Sequence, residues 1–429
     1  MTFKLRKNKW ITWILPGFNF KRWIFLGLFG ACACVYSILK YFDAPEGVYS
    51  VFYLVIGVSG FLLMVEGVRS LITSMLEAVA PNRSGIMDAL YNTRFLEKGP
   101  KVVVIGGGTG LSTMLSGIKF YSRNLTAIVT VADDGGSSGR LRREFDILPP
   151  GDIRNCLAAL ADDSDLMKKL FQYRFDKGEG VSGHSFGNLF ITAMCEVTGS
   201  FDTAVEESSK ILAIRGRVIP ASLDALKIKA EYFDGTLVEG ETAIPERHQP
   251  IRKLMLVPDN AKANQEALEA IREAELIVVG PGSLYTSVLP NLLIKEIKEE
   301  LEASSACKVY VCNIMTQHGE TDSYTASKHL KVIIDHTSSK VINRCVINHA
   351  ACDTKTLLKY AKEHSFPVIP DKEKIEKMNC SVVVSDLINE SEYIRHDPEK
   401  LAKVIFDTYE SWKKDNCGMK KQSNNKRGI

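Results

Sequence analysis

Short apolar runs alternate with stretches of helical periodicity from Lys101 onward, and this alternation limits the fold more than any other feature. The runs are rich in valine, isoleucine and leucine and lie at 101–105, 125–131, 252–257, 276–279, 307–312 and 342–347. Such runs are typical of strands that are buried on both faces. The alternation predicts an α/β domain with a mostly parallel sheet that is covered by helices on both sides.

One segment interrupts this order. Residues 225–244 alternate apolar and polar side chains with a period of two around Asp234-Gly235. An Asp-Gly pair between two alternating runs is typical of a tight β-turn. We therefore expect a β-hairpin inserted into the α/β domain.

Two long segments near the start of the chain carry no charged residue. They span 23–39 and 47–65, with a short acidic turn between them. Each approaches the roughly 20 residues that a helix needs to cross a bilayer, so we predict a transmembrane helical hairpin over 23–77. A cleaved signal peptide and an apolar start buried in an oligomer are the alternatives. The second apolar segment and the lack of a small-residue cleavage site favour the hairpin.

Basic residues cluster at the two ends of the chain. Residues 1–22 carry six Lys or Arg side chains and no acid, and residues 413–429 carry six against one acid. The positive-inside rule predicts that both ends of the hairpin face the cytoplasm, with these basic ends close to anionic lipid. Removing +6 and +5 from the net charge of +3 leaves about −8 for the rest of the chain, which argues against nucleic-acid binding. We expect 413–429 to form a flexible tail.

The ten cysteines show no CxxC pair and no zinc-type spacing. Neither a disulfide framework nor a zinc site is expected. Cys156 and Cys195 lie in stretches of helical periodicity and are interpreted as small buried side chains.

The first apolar run of the α/β domain leads into three consecutive glycines. The sequence VVVIGGGTGLSTML, residues 102–115, reads as a strand, a glycine loop and a helix that begins near Leu111. A GxGxxG motif would need glycine where Leu111 stands, and no Walker Gly-Lys-Ser/Thr follows. Close backbone approach and a helix N-terminus still favour an anion site, with a tight turn as the alternative. The candidate residues are Gly107, Gly108, Thr109 and Gly110.

The second apolar run ends in ADDGGSSGRLRREF, residues 132–145. In doubly wound folds, an acid at the tip of the second strand meets a ribose or a bound cation. The serine-bearing loop and the arginines that follow favour a second phosphate clamp, and a solvated loop with a charged helix face is the alternative. The candidate residues are Asp133, Asp134, Gly136, Ser137 and Arg140.

Three further polar segments punctuate the domain: PPGDIRNCLAAL (149–160), GHSFGNLF (183–190) and GPGSLYTSVLPN (280–291). The first two are predicted to begin helices, and the third follows the run at 276–279. His184 has two interpretations, as a ligand-binding side chain or as a helix cap, because no acid or nucleophile is fixed beside it. The candidate residues are Asp152, Arg154, Asn155, His184, Asn188, Gly282, Ser283, Tyr285 and Thr286.

Read together, these motifs resemble those of the YvcK-like gluconeogenesis factors, within the wider CofD-like group that contains the 2-phospho-L-lactate transferases. The motifs are GGGTGLS, ADDGGSSGRLR, PPGDIRNCL, GHSFGNL, GPGSLYTS and NIMTQHGET (313–321), in this order. The resemblance spans about residues 100–412 and implies a Rossmann-like three-layer α/β/α sandwich that binds a nucleotide sugar. The hairpin, the linker at 78–99 and the basic tail lie outside it.

The resemblance implies one of two functions. In the transferase branch, the domain moves a phospho-lactyl group from a nucleotide donor to a deazaflavin acceptor, with a divalent cation such as Mg²⁺ at Asp133 and Asp134. In the YvcK-like branch, it binds UDP-sugars of the UDP-GlcNAc type, requires no cofactor and governs cell shape and wall synthesis during gluconeogenic growth. The runs ADDGGSSGRLR and YIRHDPEKLA (393–402) are similar to the second branch. We therefore expect a ligand-sensing regulator rather than an enzyme.

By the same resemblance, Tyr360 is a candidate to stack on the base and Arg395 to clamp the diphosphate. Tyr360 could instead pack at a helix edge, and Arg395 could pair with Asp397 or another acid. The motif at 313–321 adds three candidates: Asn313, Thr316 and Gln317.

The sequence identifies no catalytic residues, because it offers no Ser-His-Asp arrangement or metal-spaced histidine set. A structural membrane scaffold is a third interpretation, which the gathering of five glycine-rich polar segments at strand ends opposes. The expected partners are a UDP-sugar, membrane lipid, further copies of the chain, and cell-wall synthesis or division proteins. The expected location is the cell membrane, with the main domain in the cytoplasm.

Overall fold

The computed structural model describes residues 20–43, 47–79, 96–161, 165–350, 353–389 and 394–426. It divides the chain into two units, Met1–Arg94 and Phe95–Ile429. The basic start at 1–19 and most of the linker predicted at 78–99 lie outside the described residues.

Two long helices make up the described part of the N-terminal unit: α1 (Phe20–Asp43) and α2 (Val48–Val79). Their apolar windows have mean hydropathies of 1.7 and 2.2, and only 11% and 6% of these windows is buried. Both helices are long and apolar enough to span a membrane. Glycines let them approach closely, since a Cβ at Gly30 would lie 2.6 Å from the carbonyl oxygen of Gly60.

The second unit contains all the strands of the described residues. In chain order they are β1 (Val102–Gly106), β2 (Leu125–Val129), β3 (Arg217–Pro220), β4 (Lys227–Tyr232), β5 (Leu237–Glu239), β6 (Ile251–Val257), β7 (Leu276–Val279), β8 (Cys307–Val311), β9 (Arg344–Asn348) and β10 (Ser381–Ser385). Seven of them form one sheet in the order β10-β9-β8-β7-β1-β2-β3. All its neighbouring pairs are parallel. This confirms the predicted α/β class.

Helices make up much of the rest of the second unit. They are α3 (Gly108–Ile118), α4 (Gly136–Phe145), α5 (Gly151–Leu160), α6 (Asp165–Gln172), α7 (Phe186–Thr198), α8 (Phe201–Ile211), α9 (Ala243–Glu246), α10 (Gln265–Glu273), α11 (Leu289–Leu292), α12 (Lys295–Ala303), α13 (Ala326–His336), α14 (Thr354–Lys362), α15 (Lys372–Glu376) and α16 (Pro398–Lys426). Every residue of β1 and β7 is buried. Branched apolar side chains therefore fill the core on both sides of the sheet centre.

The predicted hairpin is present. β4 and β5 pair in antiparallel fashion around Asp234-Gly235, and β6 pairs antiparallel with the other edge of β4. The run at 252–257 was expected in the main sheet, and its strand instead completes this small insert. Exposed Arg252 and Lys253 explain the difference, because a strand covered on both faces has no place for two charged side chains.

Two parallel strands and one helix extend beyond the sequence prediction. β3 begins with an arginine and ends in a proline, and serines stand at both ends of β10, so neither gives a long apolar run. α16 continues to Lys426, which differs from the flexible tail predicted at 413–429. Its buried residues Leu401, Ile405 and Tyr409 anchor the helix on the domain. Once a helix is anchored in this way, each further residue can join it at little cost in free energy.

Candidate functional site at the carboxyl edge of the sheet

The two glycine loops of the sequence meet at the centre of the main sheet. β1 lies between β2 and β7, so the loops that leave the carboxyl ends of β1 and β7 are neighbours. A Cβ at Gly110 would lie 2.7 Å from the carbonyl oxygen of Pro281. Only glycine permits this approach. From β1 the chain continues to β2 on one side, and from β7 it continues to β8 on the other side. Open α/β sheets bind their ligands at the point where the strand order diverges in this way.

Asn313 fixes the loop that follows β7. Its Nδ2 donates to the carbonyl oxygen of Gly282 at 2.8 Å, and its Oδ1 accepts from the Gly282 N–H at 3.1 Å. Gln317 donates from Nε2 to Ser283 Oγ at 2.7 Å. The loop then enters one π-helical turn, Leu284–Val288, a geometry that is frequent at functional sites. Asn313 and Gln317, which follow β8, therefore hold the β7 loop in a fixed orientation.

A first cavity of about 340 Å³ opens above the two loops. Two of its lining groups have buried acceptor atoms that find no hydrogen-bond partner among the described residues: Gln317 Oε1 and Glu241 Oε2. Unpaired buried polar atoms are costly, and a ligand can satisfy them. The candidate residues that line this cavity are Gly108, Thr109, Gly110, Gly282, Ser283, Asn313, Gln317 and Arg395.

A second cavity of about 420 Å³ runs along α3 and shares Thr109, Thr113 and Arg395 with the first. Hydroxyl groups line one side of it at helical spacing, from Thr109 through Ser112 and Thr113 to Ser116. Ser112, Thr113 and Ser116 each donate to a backbone carbonyl of their own helix. Their lone pairs remain able to accept hydrogen bonds. Asn155, Gln172 and Lys168 add donors to the lining, and Lys119 at the end of α3 donates to the Ala161 carbonyl oxygen at 2.9 Å.

The two acids after β2 hold the local backbone. Asp133 Oδ1 accepts from the N–H of Gly135 at 2.9 Å. Asp134 accepts from the backbone N–H groups of Glu241 and Thr242 at 3.1 and 3.2 Å, and from Thr242 Oγ1 at 3.2 Å. Both oxygens of Asp134 are thus engaged in tying the antiparallel insert to the site. Neither acid lines the two cavities.

Several carboxyl groups behind the loops are held away from water. Burial raises the pKa of Asp152 to about 6, and nearby Asp133 acts in the same direction. Burial also raises the pKa of Glu320 to about 7, against hydrogen bonds from Tyr285 and Thr286. Burial, followed by repulsion from Asp133 and Asp152, raises the pKa of Glu241 to about 9. Glu241 therefore keeps its proton near neutral pH and can donate to a ligand oxygen.

A separate network lies beside the cavities. Ser137 Oγ bonds His184 Nδ1 at 2.8 Å and accepts from Asn188 Nδ2 at 3.0 Å. Burial, with Arg140 nearby, lowers the pKa of His184. Arg154 donates to the hydroxyl of Ser185, which caps α7. Ser185 rather than His184 is therefore the helix cap, and none of these side chains lines either cavity.

The two residues suggested by the C-terminal motifs differ in position. Arg395 lies in both cavities. Tyr360 lies in neither; its hydroxyl accepts from the Ile394 N–H at 3.1 Å, and its ring packs on Ile314, Met315 and Ile394. Tyr360 thus supports the segment that carries Arg395. The remaining candidates that line neither cavity are Gly107, Gly136, Arg140, Tyr285, Thr286 and Thr316.

Sequence reasoning missed Glu241, Glu320 and the hydroxyl face of α3. The spacing of Thr109, Ser112, Thr113 and Ser116 was visible as a polar stripe at i, i+3, i+4 and i+7. Glu241 and Glu320 gave no local signal, because their burial depends on distant segments. In the described part of the chain, no group of three or more His, Cys, Asp or Glu side chains is arranged to hold a metal ion.

The chain matches the family model for CofD, 2-phospho-L-lactate transferase, over residues 102–388. It is 43% identical to a putative gluconeogenesis factor of Nostoc, over 94% of this chain and 93% of the relative. It is 47% identical to the gluconeogenesis factor of Bacillus subtilis, over 72% of this chain and 98% of the relative. A crystal structure from Bacillus halodurans superposes with a TM-score of 0.70 at 48% identity, covering 72% of this chain and 99% of that one.

Proposed function

Because the chain belongs to the CofD family and to its gluconeogenesis factors, we propose that its carboxyl-edge site binds a UDP-sugar of the UDP-GlcNAc type. Binding at this site then regulates cell shape and cell-wall synthesis during gluconeogenic growth. The observation that carries the proposal is the pair of adjoining cavities with Thr109, Thr113 and Arg395 in common. A ligand of two bodies joined by a diphosphate suits this arrangement.

The parts of the ligand can be assigned to the parts of the site. The diphosphate lies where the glycine loop begins α3, since the dipole of this helix start and Arg395 favour a negative charge there. Protonated Glu241 adds a donor without repelling the phosphates. The sugar occupies the hydroxyl-lined second cavity, whose donors and acceptors match a polyol. The nucleoside occupies the first.

Transfer of a phospho-lactyl group is the second candidate, and the description of the matching family model supports it. That reaction calls for a divalent cation, for which Asp133 and Asp134 are the candidate ligands. Asp134 already accepts three hydrogen bonds from the insert, so a cation would have to replace them. The donor set therefore fits the regulator better than the transferase.

The location of the protein is part of the proposal. α1 and α2 act as a membrane hairpin with both ends in the cytoplasm, which holds the sensor domain where wall precursors and synthases meet and raises its effective concentration there. Carbonate washing should leave the chain in the membrane pellet. External protease should leave the α/β domain of intact spheroplasts uncut, and digestion there would contradict this orientation.

Calorimetry on the full chain in detergent tests the binding proposal. UDP-GlcNAc should bind more tightly than UDP, and Ser112→Phe, which fills the second cavity, should remove that difference while UDP binding persists. Arg395→Ala should weaken both ligands by about tenfold or more, whereas Arg252→Ala on the exposed insert should not. Absence of any UDP-GlcNAc binding at about millimolar concentration would refute the proposal.

Two further assays separate the regulator from the transferase. Turnover of a deazaflavin acceptor with a nucleotide-activated lactyl phosphate and Mg²⁺ would favour the transferase. Cells that carry Arg395→Ala should lose their normal shape on a gluconeogenic carbon source and keep it on glucose. Normal shape under both conditions would contradict the regulatory role.

A further inference from the structure

A cavity of about 600 Å³ lies at the opposite edge of the main sheet. It is lined by the amino ends of β1, β2 and β3 and by the last turns of α10. Four basic side chains surround it, from Lys101, Arg123, Arg215 and Arg217, against one acid, Glu273. We name it the amino-edge cavity. None of its residues belongs to the carboxyl-edge site.

The basic side chains come from separate parts of the chain that the sheet brings together. Lys101 precedes β1, Arg123 precedes β2, and Arg215 and Arg217 frame the start of β3. Because the strands are parallel, all their amino ends lie on the same edge. The positive charge is therefore a product of the strand order.

Two arginine ion pairs at this edge are weak competitors for a stronger anion, whereas Lys101 and Glu273 lie only 2.9 Å apart. Arg123 lies 3.4 Å from Glu97, and Arg217 lies 3.6 Å from Glu266. Charge-assisted hydrogen bonds to arginine are typically about 2.7–2.9 Å long, so both contacts are loose. The Arg217 side chain is 58% exposed, and exposed pairs contribute little. A phosphate group can replace these carboxylates at little cost and engage both arginines.

The connection that presents Arg215 has an unusual backbone. Ala213 has a φ of 47°, and Gly216 has a φ of 94°. The left-handed region is uncommon for alanine, and residues held there tend to occur where a loop must take one particular shape. This loop forms one wall of the cavity and carries Arg217 and Arg215, whose guanidinium lies 5.5 Å from the centre of the Phe120 ring. Beneath them, Val102, Val103 and Leu125 form an apolar floor.

We propose that the amino-edge cavity binds the phosphate group of a small phosphorylated molecule, distinct from the ligand of the carboxyl-edge site. The arginines take the phosphate, and the body of the molecule covers the apolar floor. The same phosphate chemistry could also come from a lipid headgroup. The test below separates the two sources.

The probe is inorganic pyrophosphate, titrated by calorimetry into the full chain in nanodiscs of neutral lipid. All titrated variants also carry Arg395→Glu, which prevents pyrophosphate from binding to Arg395 at the carboxyl edge. Arg217→Glu should then weaken pyrophosphate binding by about tenfold or more. The matched control is Arg252→Glu, whose side chain is 60% exposed and is also paired with a glutamate. It should change binding by less than about twofold.

Equal binding by the two variants, or no pyrophosphate binding before Arg217 is changed, would overturn the proposal. Repeating the titration in nanodiscs that contain anionic lipid identifies the source. Unchanged affinity assigns the cavity to a soluble phosphate, and a marked loss assigns it to headgroups that already occupy it. Urea unfolding of each variant confirms that the fold is intact, as expected for exposed positions.

Discussion

The carboxyl and amino edges of the main sheet treat charge in opposite ways. At the carboxyl edge, Asp152, Glu241 and Glu320 are withdrawn from water, and burial raises the pKa of each. At the amino edge, the charges are exposed or half-exposed; the contacts of Arg123 and Arg217 with their glutamates are loose, and Lys101 and Glu273 pair at 2.9 Å. Burial makes a charge expensive, whereas exposure lets water screen it.

The carboxyl edge is therefore a preorganised site, whereas the side chains of the amino edge would become ordered only on binding. At the carboxyl edge, two tight glycine contacts, the two hydrogen bonds between Asn313 and the Gly282 backbone, and a π-helical turn fix the loops. The amino edge relies on long side chains around an open cavity. Loss of one group should therefore disturb function at the carboxyl edge, while most amino-edge changes should leave the carboxyl-edge site intact.

Most substitutions at the amino edge should have little effect on stability, and Gly216→Ala is the exception with the largest expected loss. Gly216 has a φ of 94°, and a Cβ there would lie 2.4 Å from the carbonyl oxygen of Leu125. We expect the free energy of unfolding to fall by about 3 kcal/mol, from backbone strain and overpacking together. UDP-GlcNAc affinity should not change. Gly235→Ala has a positive φ but open space around its Cβ, so it should lose only about 1 kcal/mol; equal losses in urea unfolding would disprove the clash.

Glu241→Gln tests the buried acids. An unfolded glutamic acid ionises near pH 4.5, whereas the folded-state pKa of Glu241 is about 9. The stability that Glu241 contributes is full below the first value and is lost as pH rises towards the second. Glutamine does not titrate, so the variant should gain about 2 kcal/mol relative to the parent between about pH 5 and about pH 6.5.

The amino-edge counterpart is Glu273, whose pKa is lowered by its hydrogen bond to Lys101. Its contribution runs the other way, since it is present above the unfolded pKa and lost as pH falls. Because Glu273 is exposed, Glu273→Gln should show no measurable pH trend in urea midpoints. A trend as steep as that of Glu241→Gln would remove the distinction between the two edges.

A pair of asparagines offers a matched test of loop fixation. Asn313 bridges Gly282 at the carboxyl edge. Asn343 accepts from the Lys308 N–H at 3.0 Å and donates to the Ala306 carbonyl at 3.3 Å at the amino edge. Alanine at either position should cost about 1–2 kcal/mol of unfolding free energy. Only Asn313→Ala should also weaken UDP-GlcNAc binding in calorimetry; an equal loss with Asn343→Ala would show that stability alone governs affinity.

The smallest effect is expected for Lys101→Met. Lys101 pairs with Glu273 at 2.9 Å, with side chains 55% and 66% exposed. Such surface pairs often contribute nothing measurable. The urea midpoint should therefore match that of the parent, and a clear shift would mean that the amino edge is less solvated than its exposure indicates.

Much of the carboxyl edge could be predicted because its signals are local. The glycines at 106–108 and 280–282 stand directly after valine-rich runs, so a strand followed by a close backbone turn was evident. The Asp234-Gly235 turn carried its own hairpin signal. The role of Asp134 was less predictable. Its partners Thr242 and Glu241 lie more than 100 residues away, and no local pattern indicates such a contact.

The sequence by itself determined the strands of the sheet centre, the two apolar N-terminal helices, the hairpin insert and the glycine turns, because each follows from residue periodicity and backbone freedom within a few neighbours. Only the tertiary structure decided that β1 pairs with β7, 174 residues away, and hence that Gly110 meets Pro281. The same strand order buried Glu241 and gathered Arg123 with Arg217 at the other edge. The burial of a side chain and its distance from other charges depend on which distant segments share a sheet edge. Bringing distant segments together costs chain entropy, and only the packing of the whole core compensates for it.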